Sequence, residues 1–201
     1  MAEPPIGAVL AGGASRRMGE PKAMLDLAGK PLIAHAVESV AAAGLETIVV
    51  AKPDSPVPPL GVPVLDEPAE PRHPLTGIVA ALRYAEARPV VVIACDMPLV
   101  PPALIAALAR LDDPVAVVRI GDGIEPLLAR YSPSVEPALM ASLRVGDSLR
   151  HAVAGLHPRL ITEGDLSAYG DPQRIALNVN SPSDLALARS LLEGPARGSR
   201  S

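Results

Sequence analysis

The segment Pro89-Val-Val-Val-Ile-Ala-Cys95 is apolar at every position after its proline and stops at Asp96. A strand with one wet face alternates apolar and polar residues. A strand without alternation must be covered on both faces, as a central strand of a parallel sheet is. Parallel strands need long crossovers, and helices supply them. This one segment therefore asks for an open sheet with helices on both sides.

The rest of the chain supplies those parts. Ile6–Ala11 reads as a first buried strand. Pro31–Gly44 reads as a helix, with Leu32, Ile33, Ala36, Val37, Val40 and Ala41 on one face, Pro31 in its first turn and Gly44 at its C-terminal cap. Strands follow at Thr47–Ala51 and Val62–Leu65, the latter ended by Asp66. A helix is expected at Pro74–Ala87 and another at Pro102–Leu111. The order β-α-β-β-α-β-α defines an α/β protein with a mostly parallel sheet. The second half alternates less cleanly. Val115–Ile120 and Pro126–Tyr131 read as strands about a Gly121-Asp122-Gly123 turn, forming a small antiparallel part. Helices are expected near 134–143 and 147–154, and a last strand at Ile175–Val179. A final helix should start at Ser181-Pro-Ser-Asp184, with Ser181 as cap and the Asp184 carboxylate bonding back to the chain. Residues 1–193 read as a single domain and 194–201 as a flexible C-terminal tail.

Composition removes several function classes. The net charge is −4 with no long Lys/Arg block, which argues against coating nucleic acid. There is no Trp or Phe and there are three Tyr, so a base-stacking platform is improbable and the core must be aliphatic. One cysteine, Cys95, allows neither an internal disulfide nor a Cys-rich metal site. The start of the chain lacks a basic, apolar leader and no 18-residue apolar run exists. The expectation is a cytoplasmic protein with no membrane partner.

Ligands of open α/β sheets bind beyond the carboxyl ends of the strands. Three polar features fall there. They are the loop Leu10-Ala-Gly-Gly-Ala-Ser-Arg-Arg-Met-Gly-Glu-Pro-Lys22, Asp66 and Asp96. Glycines let backbone N–H groups approach a phosphate, and Arg16, Arg17 and Lys22 reverse the sign of an acidic chain locally. The loop is neither a Walker A motif, a dinucleotide fingerprint nor a nucleophile elbow. It suits a polyphosphate; the alternative is a solvated basic loop. Each aspartate is either a helix N-cap or a metal ligand, since Mg²⁺ on a triphosphate takes one or two carboxylates. Cys95 reads as a core residue. The four histidines show no i,i+4 pairing for zinc.

The loop resembles the signature of the Rossmann-like nucleotidyltransferases, and within them the molybdenum cofactor guanylyltransferases. Leu27-Ala-Gly-Lys-Pro-Leu-Ile-Ala-His35, His73-Pro-Leu-Thr-Gly77, Cys95-Asp-Met-Pro98, Glu125-Pro-Leu-Leu-Ala-Arg-Tyr131 and Asn178-Val-Asn-Ser-Pro-Ser-Asp-Leu185 are similar to that family's later motifs. The resemblance runs from about residue 6 to about 190. It implies a three-layer Rossmann-like fold of the nucleotide-diphospho-sugar transferase type. The implied activity is transfer of GMP from GTP to molybdenum-bound molybdopterin, with Mg²⁺ as cofactor and pyrophosphate as leaving group. It implies backbone contacts from Leu10, Ala11 and Gly12, with Gly13 and Ser15 beside the phosphates. Arg17 and Lys22 would neutralise the triphosphate and the departing pyrophosphate. Asp66 would contact GTP, Asp96 would hold Mg²⁺, and Asn178 and Asn180 would lie on the pterin side or order the metal shell. Other proteins of the cofactor's biosynthesis, or acceptor molybdoenzymes, are implied as partners. Two departures bear on the nucleotide. Pro21-Lys22-Ala23 stands where the family often has Asp-Lys-Gly, and Ala51 stands where guanylyl enzymes often carry Asn. These keep open a transferase using CTP or another phosphorylated acceptor. A nucleotide-binding module without turnover is the reading from another class.

Overall fold

The computed structural model describes residues 3–11 and 21–193. Nine strands occur in it. They are β1 (Ile6–Leu10), β2 (Asp26–Leu27), β3 (Lys30–Pro31), β4 (Glu46–Ala51), β5 (Val64–Asp66), β6 (Val90–Ala94), β7 (Val115–Ile120), β8 (Gly123–Tyr131) and β9 (Arg159–Ile161). The helices are α1 (Leu32–Ala42), α2 (Pro74–Ala85), α3 (Pro102–Ala109), α4 (Glu136–Val145), α5 (Leu149–Ala154), α6 (Glu163–Leu166), α7 (Pro172–Ile175) and α8 (Pro182–Glu193). The main sheet has the order β5-β4-β1-β6-β8-β7-β9, while β2 and β3 form a separate antiparallel pair. β5, β4, β1 and β6 are parallel; β8 is antiparallel to both β6 and β7; β9 runs parallel to β7.

The unbroken apolar strands are buried on both faces, as their sequences require. Val9, Val49, Val91 and Ile93 pack under α1 and α3 against Val37, Val40, Leu104 and Ile105. Their neighbours Ala8, Ile48, Val50 and Val92 pack on the other side against Ile78 and Leu82 of α2 and Leu139 of α4. Gly7 is required where α1 crosses β1: a Cβ there would lie 2.1 Å from a methyl group of Val40. No helix among the described residues is long and apolar enough to cross a membrane.

The structure corrects the sequence expectation in one element. Ile175–Val179 is not a strand. Asp171 caps a short helix by accepting from the Gln173 amide (2.9 Å), Pro172 sits in its first turn, and Ala176–Ser181 follows as an irregular segment. Its apolar residues fill separate clefts. Ile175 joins the α1/α3 layer, and Val179 packs with Leu25, Leu27 and Leu32. Smaller differences have local causes. Pro31 is extended and pairs with Asp26, so α1 begins at Leu32. The third strand is Val64–Asp66 and includes its aspartate. The pair β2–β3 and the edge strand β9, with two exposed residues in three, carry no sequence period that announces them.

Candidate active site

Four parallel strands end side by side, and backbone bonds tie their last residues together. The Ala11 amide donates to the Val50 carbonyl (2.8 Å), the Cys95 amide to Leu10 (3.1 Å), and the Glu67 amide to Ala51 (2.9 Å). The expected phosphate loop leaves this edge immediately after Ala11. Gly12, Gly13, Ser15 and Arg17 lie outside the described residues; Leu10 and Ala11 are buried at the loop's root.

Lys22 returns the chain to the edge on a single 3₁₀ turn, Lys22–Met24. Ala23 is buried beneath it, and the Met24 amide donates to Pro21 (2.9 Å). The Lys22 ammonium donates to Asp96 Oδ2 at 2.8 Å and also to the side-chain oxygen of Asn180. The ion pair is mostly shielded, with side-chain exposures of 17% and 18%. Asp96 follows β6 in a tight turn, where the Met97 amide donates to Ala94 (3.1 Å). The Asp96 carbonyl accepts from the Val179 amide at 2.8 Å, so the segment bearing Asn178 and Asn180 is anchored to the aspartate itself. Asp184 Oδ2 accepts from the Asn180 amide (2.9 Å), while the Asp184 amide donates to Ser181 Oγ (3.2 Å). This is the expected return bond at the start of α8. The Ser181 hydroxyl and the Asn180 amide hold the Asp184 carboxyl below the usual carboxylate range.

The N-cap alternatives for the two aspartates fall away. The cap of α2 is His73, whose Nδ1 accepts from the Leu75 amide (3.2 Å), and α3 starts after Pro101. Asp96 therefore caps no helix, and its carboxylate is paired with Lys22 instead. Asp66 is exposed at the end of β5, in register with Ala51. It stands three strand positions from β6, roughly 14 Å at about 4.8 Å per spacing. The structure thus joins Lys22, Asp96 and Asn180 by direct bonds, places Asn178 beside Asp96 on one cavity, and leaves Asp66 apart. Asn178 itself donates to the Ala176 carbonyl (3.3 Å).

That cavity, of about 330 Å³, opens at Asp96 and runs between β8 and the start of α5; Glu125, Arg150 and Asn178 are on its wall. Sequence reasoning missed Glu125 and Arg150. Arg150 donates to Glu125 Oε1 at 3.2 Å, and partial burial pushes the Glu125 carboxyl up, opposed by Arg150 and reinforced by Asp96. A larger groove of about 510 Å³ lies near Asp66, between Val79, Tyr84 and Met140. It is mainly apolar, includes Asp66 in its wall, and holds neither Lys22 nor Asp96.

Also unannounced by sequence is a buried ionic group beneath the Asp66 side. Lys52 and Glu67 are 6% and 5% exposed, with Nζ and Oε2 3.5 Å apart. Lys52 donates to Thr76 Oγ1 (3.1 Å) and to the carbonyls of Pro71 (3.2 Å) and Pro68, and the Thr76 hydroxyl bonds Glu67. Cys95 is buried and its thiol is pushed far up by desolvation, which fits a core residue rather than a nucleophile. Among the described residues no group of three His, Cys, Asp or Glu could hold a metal by itself. A hard divalent cation on a triphosphate needs only one or two protein carboxylates beside phosphate and water. The oxygens now facing the Lys22 ammonium, from Asp96 and Asn180, are of that kind.

A doubly wound sheet at whose carboxyl edge a lysine, an aspartate and an asparagine meet beside a loop root is the frame of a nucleotide-handling α/β protein. Comparison with known proteins narrows this. The model of the MobA-like NTP transferase domain matches residues 7–159. The molybdenum cofactor guanylyltransferase of Cereibacter sphaeroides is 34% identical over 193 residues, covering 93% of this chain and 96% of that protein. The probable molybdenum cofactor guanylyltransferase of Pelotomaculum thermopropionicum is 33% identical over 198 residues, covering 96% and 95%. The crystal structure of molybdopterin-guanine dinucleotide biosynthesis protein A from Archaeoglobus fulgidus superposes with a TM-score of 0.78 at 25% identity, covering 93% of this chain and 98% of that one. The chain belongs to the MobA-like NTP transferase family and is a nucleotidyltransferase.

Proposed function

We propose that this protein transfers GMP from GTP to the terminal phosphate of molybdopterin and releases pyrophosphate. The observation that carries the reading is the bonded set Lys22–Asp96–Asn180 at the carboxyl edge of β1 and β6. The guanylyltransferase relatives, matched over nearly their whole length, support the choice of GTP and of the acceptor.

The residues suggest a division of labour. The triphosphate lies over the root of the loop, with the Leu10 and Ala11 backbone beside it and Gly12, Gly13, Ser15 and Arg17 on the loop. The base extends toward Ala51 and Asp66, and the acceptor enters through the cavity at Asp96, Asn178 and Asn180. Asp96, with Asn180 beside it, would hold Mg²⁺; the bound ion would supply charge neutralisation at the phosphate oxygens. An ionised phosphate oxygen of the acceptor attacks the α-phosphorus. A P–O bond forms there, the bond to the β-phosphate breaks, and pyrophosphate departs with the electron pair. The nucleophile is already an anion at neutral pH, so no general base is required. Catalysis then rests on positioning and on charge, and Lys22 meets the charge growing on pyrophosphate.

Calorimetry with GTP, CTP, ATP and UTP in the presence of Mg²⁺, paired with a transfer assay on molybdopterin, tests this. GTP should bind best. Lys22→Ala and Asp96→Ala should each lower transfer by about 10²-fold or more while the fold survives. Preference for CTP would assign the chain to cytidylyl transfer, with Ala51 as the physical reason. Unchanged turnover in either variant would overturn that residue's role.

A further inference from the structure

β8 is irregular at one place, and the irregularity faces the cavity. Val117 of β7 pairs with Ala129, but the next residue, Val118, pairs with Glu125. Pro126, Leu127 and Leu128 therefore have no partner on β7. Proline has no amide hydrogen to lose there, and bulges of this kind re-aim side chains beside active sites. The bulge is pinned from inside: the Tyr131 hydroxyl, fully buried, donates to the Pro126 carbonyl at 2.7 Å. Glu125 stands at the bulge's edge on the wall of the cavity that begins at Asp96.

The surroundings of that carboxylate say what it is for. Leu127 and Leu149 give the cavity apolar surface. Among the described residues Glu125 has one cation, Arg150, and it takes one oxygen. A carboxylate that accepts through only one oxygen, set between the apolar surfaces of Leu127 and Leu149, is matched by a flat ligand offering two adjacent N–H donors, which a carboxylate takes as a bidentate pair. The far end of the same cavity is Asp96, where a phosphate is brought to the Lys22 set. We propose that Glu125 is the acceptor-reading residue: its carboxylate takes the paired N–H donors of an amino-oxo pyrimidine edge, that of a pterin, whose phosphate arm reaches Asp96. This deepens the function proposed above and rests on it. Guanine carries the same donor edge, so the experiment must separate the two sources.

The test uses intrinsic pterin fluorescence and the intact protein. Pterin is titrated against lumazine, in which a carbonyl replaces the 2-amino donor. Wild-type protein should prefer the pterin by about tenfold or more, because the carboxylate would face a carbonyl in lumazine. Glu125→Gln should abolish or reverse that preference, because its amide offers one acceptor and one donor, which complements the N–H and carbonyl of lumazine and not two N–H donors. GTP affinity by calorimetry should be the same in wild type and Glu125→Gln, and the variant should melt no lower than wild type. Equal pterin and lumazine affinities in the wild type, or no pterin binding, would overturn the Glu125 assignment while GTP binding and GMP transfer still stood. Loss of GTP binding in Glu125→Gln would assign the carboxylate to guanine instead and overturn it too. Failure of wild-type protein to bind GTP at all would instead sink the underlying function.

Discussion

Lys52 and Glu67 show how single residues fix the ends of two neighbouring strands. Both are buried next to strand ends, and the pair is bridged through Thr76. Lys52 reaches across to the Pro68 and Pro71 carbonyls and so fastens the segment that follows Asp66. Two desolvated charges gain little net stability together, yet removing one leaves the other buried without a partner. Lys52→Met should therefore lower the unfolding free energy by about 3–5 kcal/mol in urea titrations. The double change Lys52→Met/Glu67→Met should lose less than the single one. A single variant as stable as wild type would mean the pair is solvated and fastens nothing. The residues lie far enough apart in sequence that no spacing rule joins them. Only the register that sets Ala51 against Asp66 puts their successors side by side.

Among the elements, β1 and α1 cross closely. Gly7 has no room for a methyl group because Val40 fills it, and Val40 is β-branched and stiff. Gly7→Ala should destabilise by about 1–3 kcal/mol, the range for overpacking, and lower the urea midpoint at constant m-value. An unchanged midpoint would show that α1 can slide away at no cost. Other elements differ in how far sequence foretells them. The strands at 6–10, 46–51 and 90–94 were legible because burial on both faces leaves an unbroken apolar run. The start of α8 was legible because Ser181, Pro182 and Asp184 are local cap chemistry. Ile175–Val179 misled because five mostly apolar residues fit a strand or a set of plugs equally well, and Asp171-Pro172 started a helix just before them. The bulge at Pro126 was invisible because it is a mismatch between β8 and β7, a property of neither alone. Of the expected site residues, Asp66 and Asp96 stood out as charged ends of apolar segments, and Lys22 as the last cation of the glycine-containing loop. Asn178 and Asn180 were reachable through resemblance alone; Glu125 fell within a motif of the same resemblance, but nothing in the sequence gave it a role.

At the scale of the whole molecule, the site closes a circuit between distant parts of the chain. Lys22 comes from the first crossover, Asp96 from the central strand and Asn180 from the approach to α8. Arg189 of α8 donates to the Asp26 carbonyl and carboxylate (both 3.2 Å), clamping the last helix onto β2. Asp184 joins this clamp to the site, because its carboxylate fixes the Asn180 amide while Ser181 caps the helix. Its pKa is held down in the fold, first by Ser181 and then by Asn180. The sign follows: Asp184 contributes stability above the ordinary carboxylate range near pH 4, and that part is lost as pH falls through the depressed folded value. Asp184→Ala should melt about 2–4 °C below wild type at pH 7, the size of one helix cap in a domain of this length. The difference should begin to narrow as pH drops below about 4 and close only once the pH has fallen through the depressed folded value, where the wild-type carboxylate takes up its proton. The same variant should lose transfer activity at pH 7, with a higher KM for the acceptor under the proposed division of labour, because Asn180 loses its backbone anchor. Melting curves of the two proteins from pH 7 to pH 2.5, read beside acceptor KM, decide the matter. A gap that persists unchanged into acid would mean the carboxylate's charge is not what holds the turn.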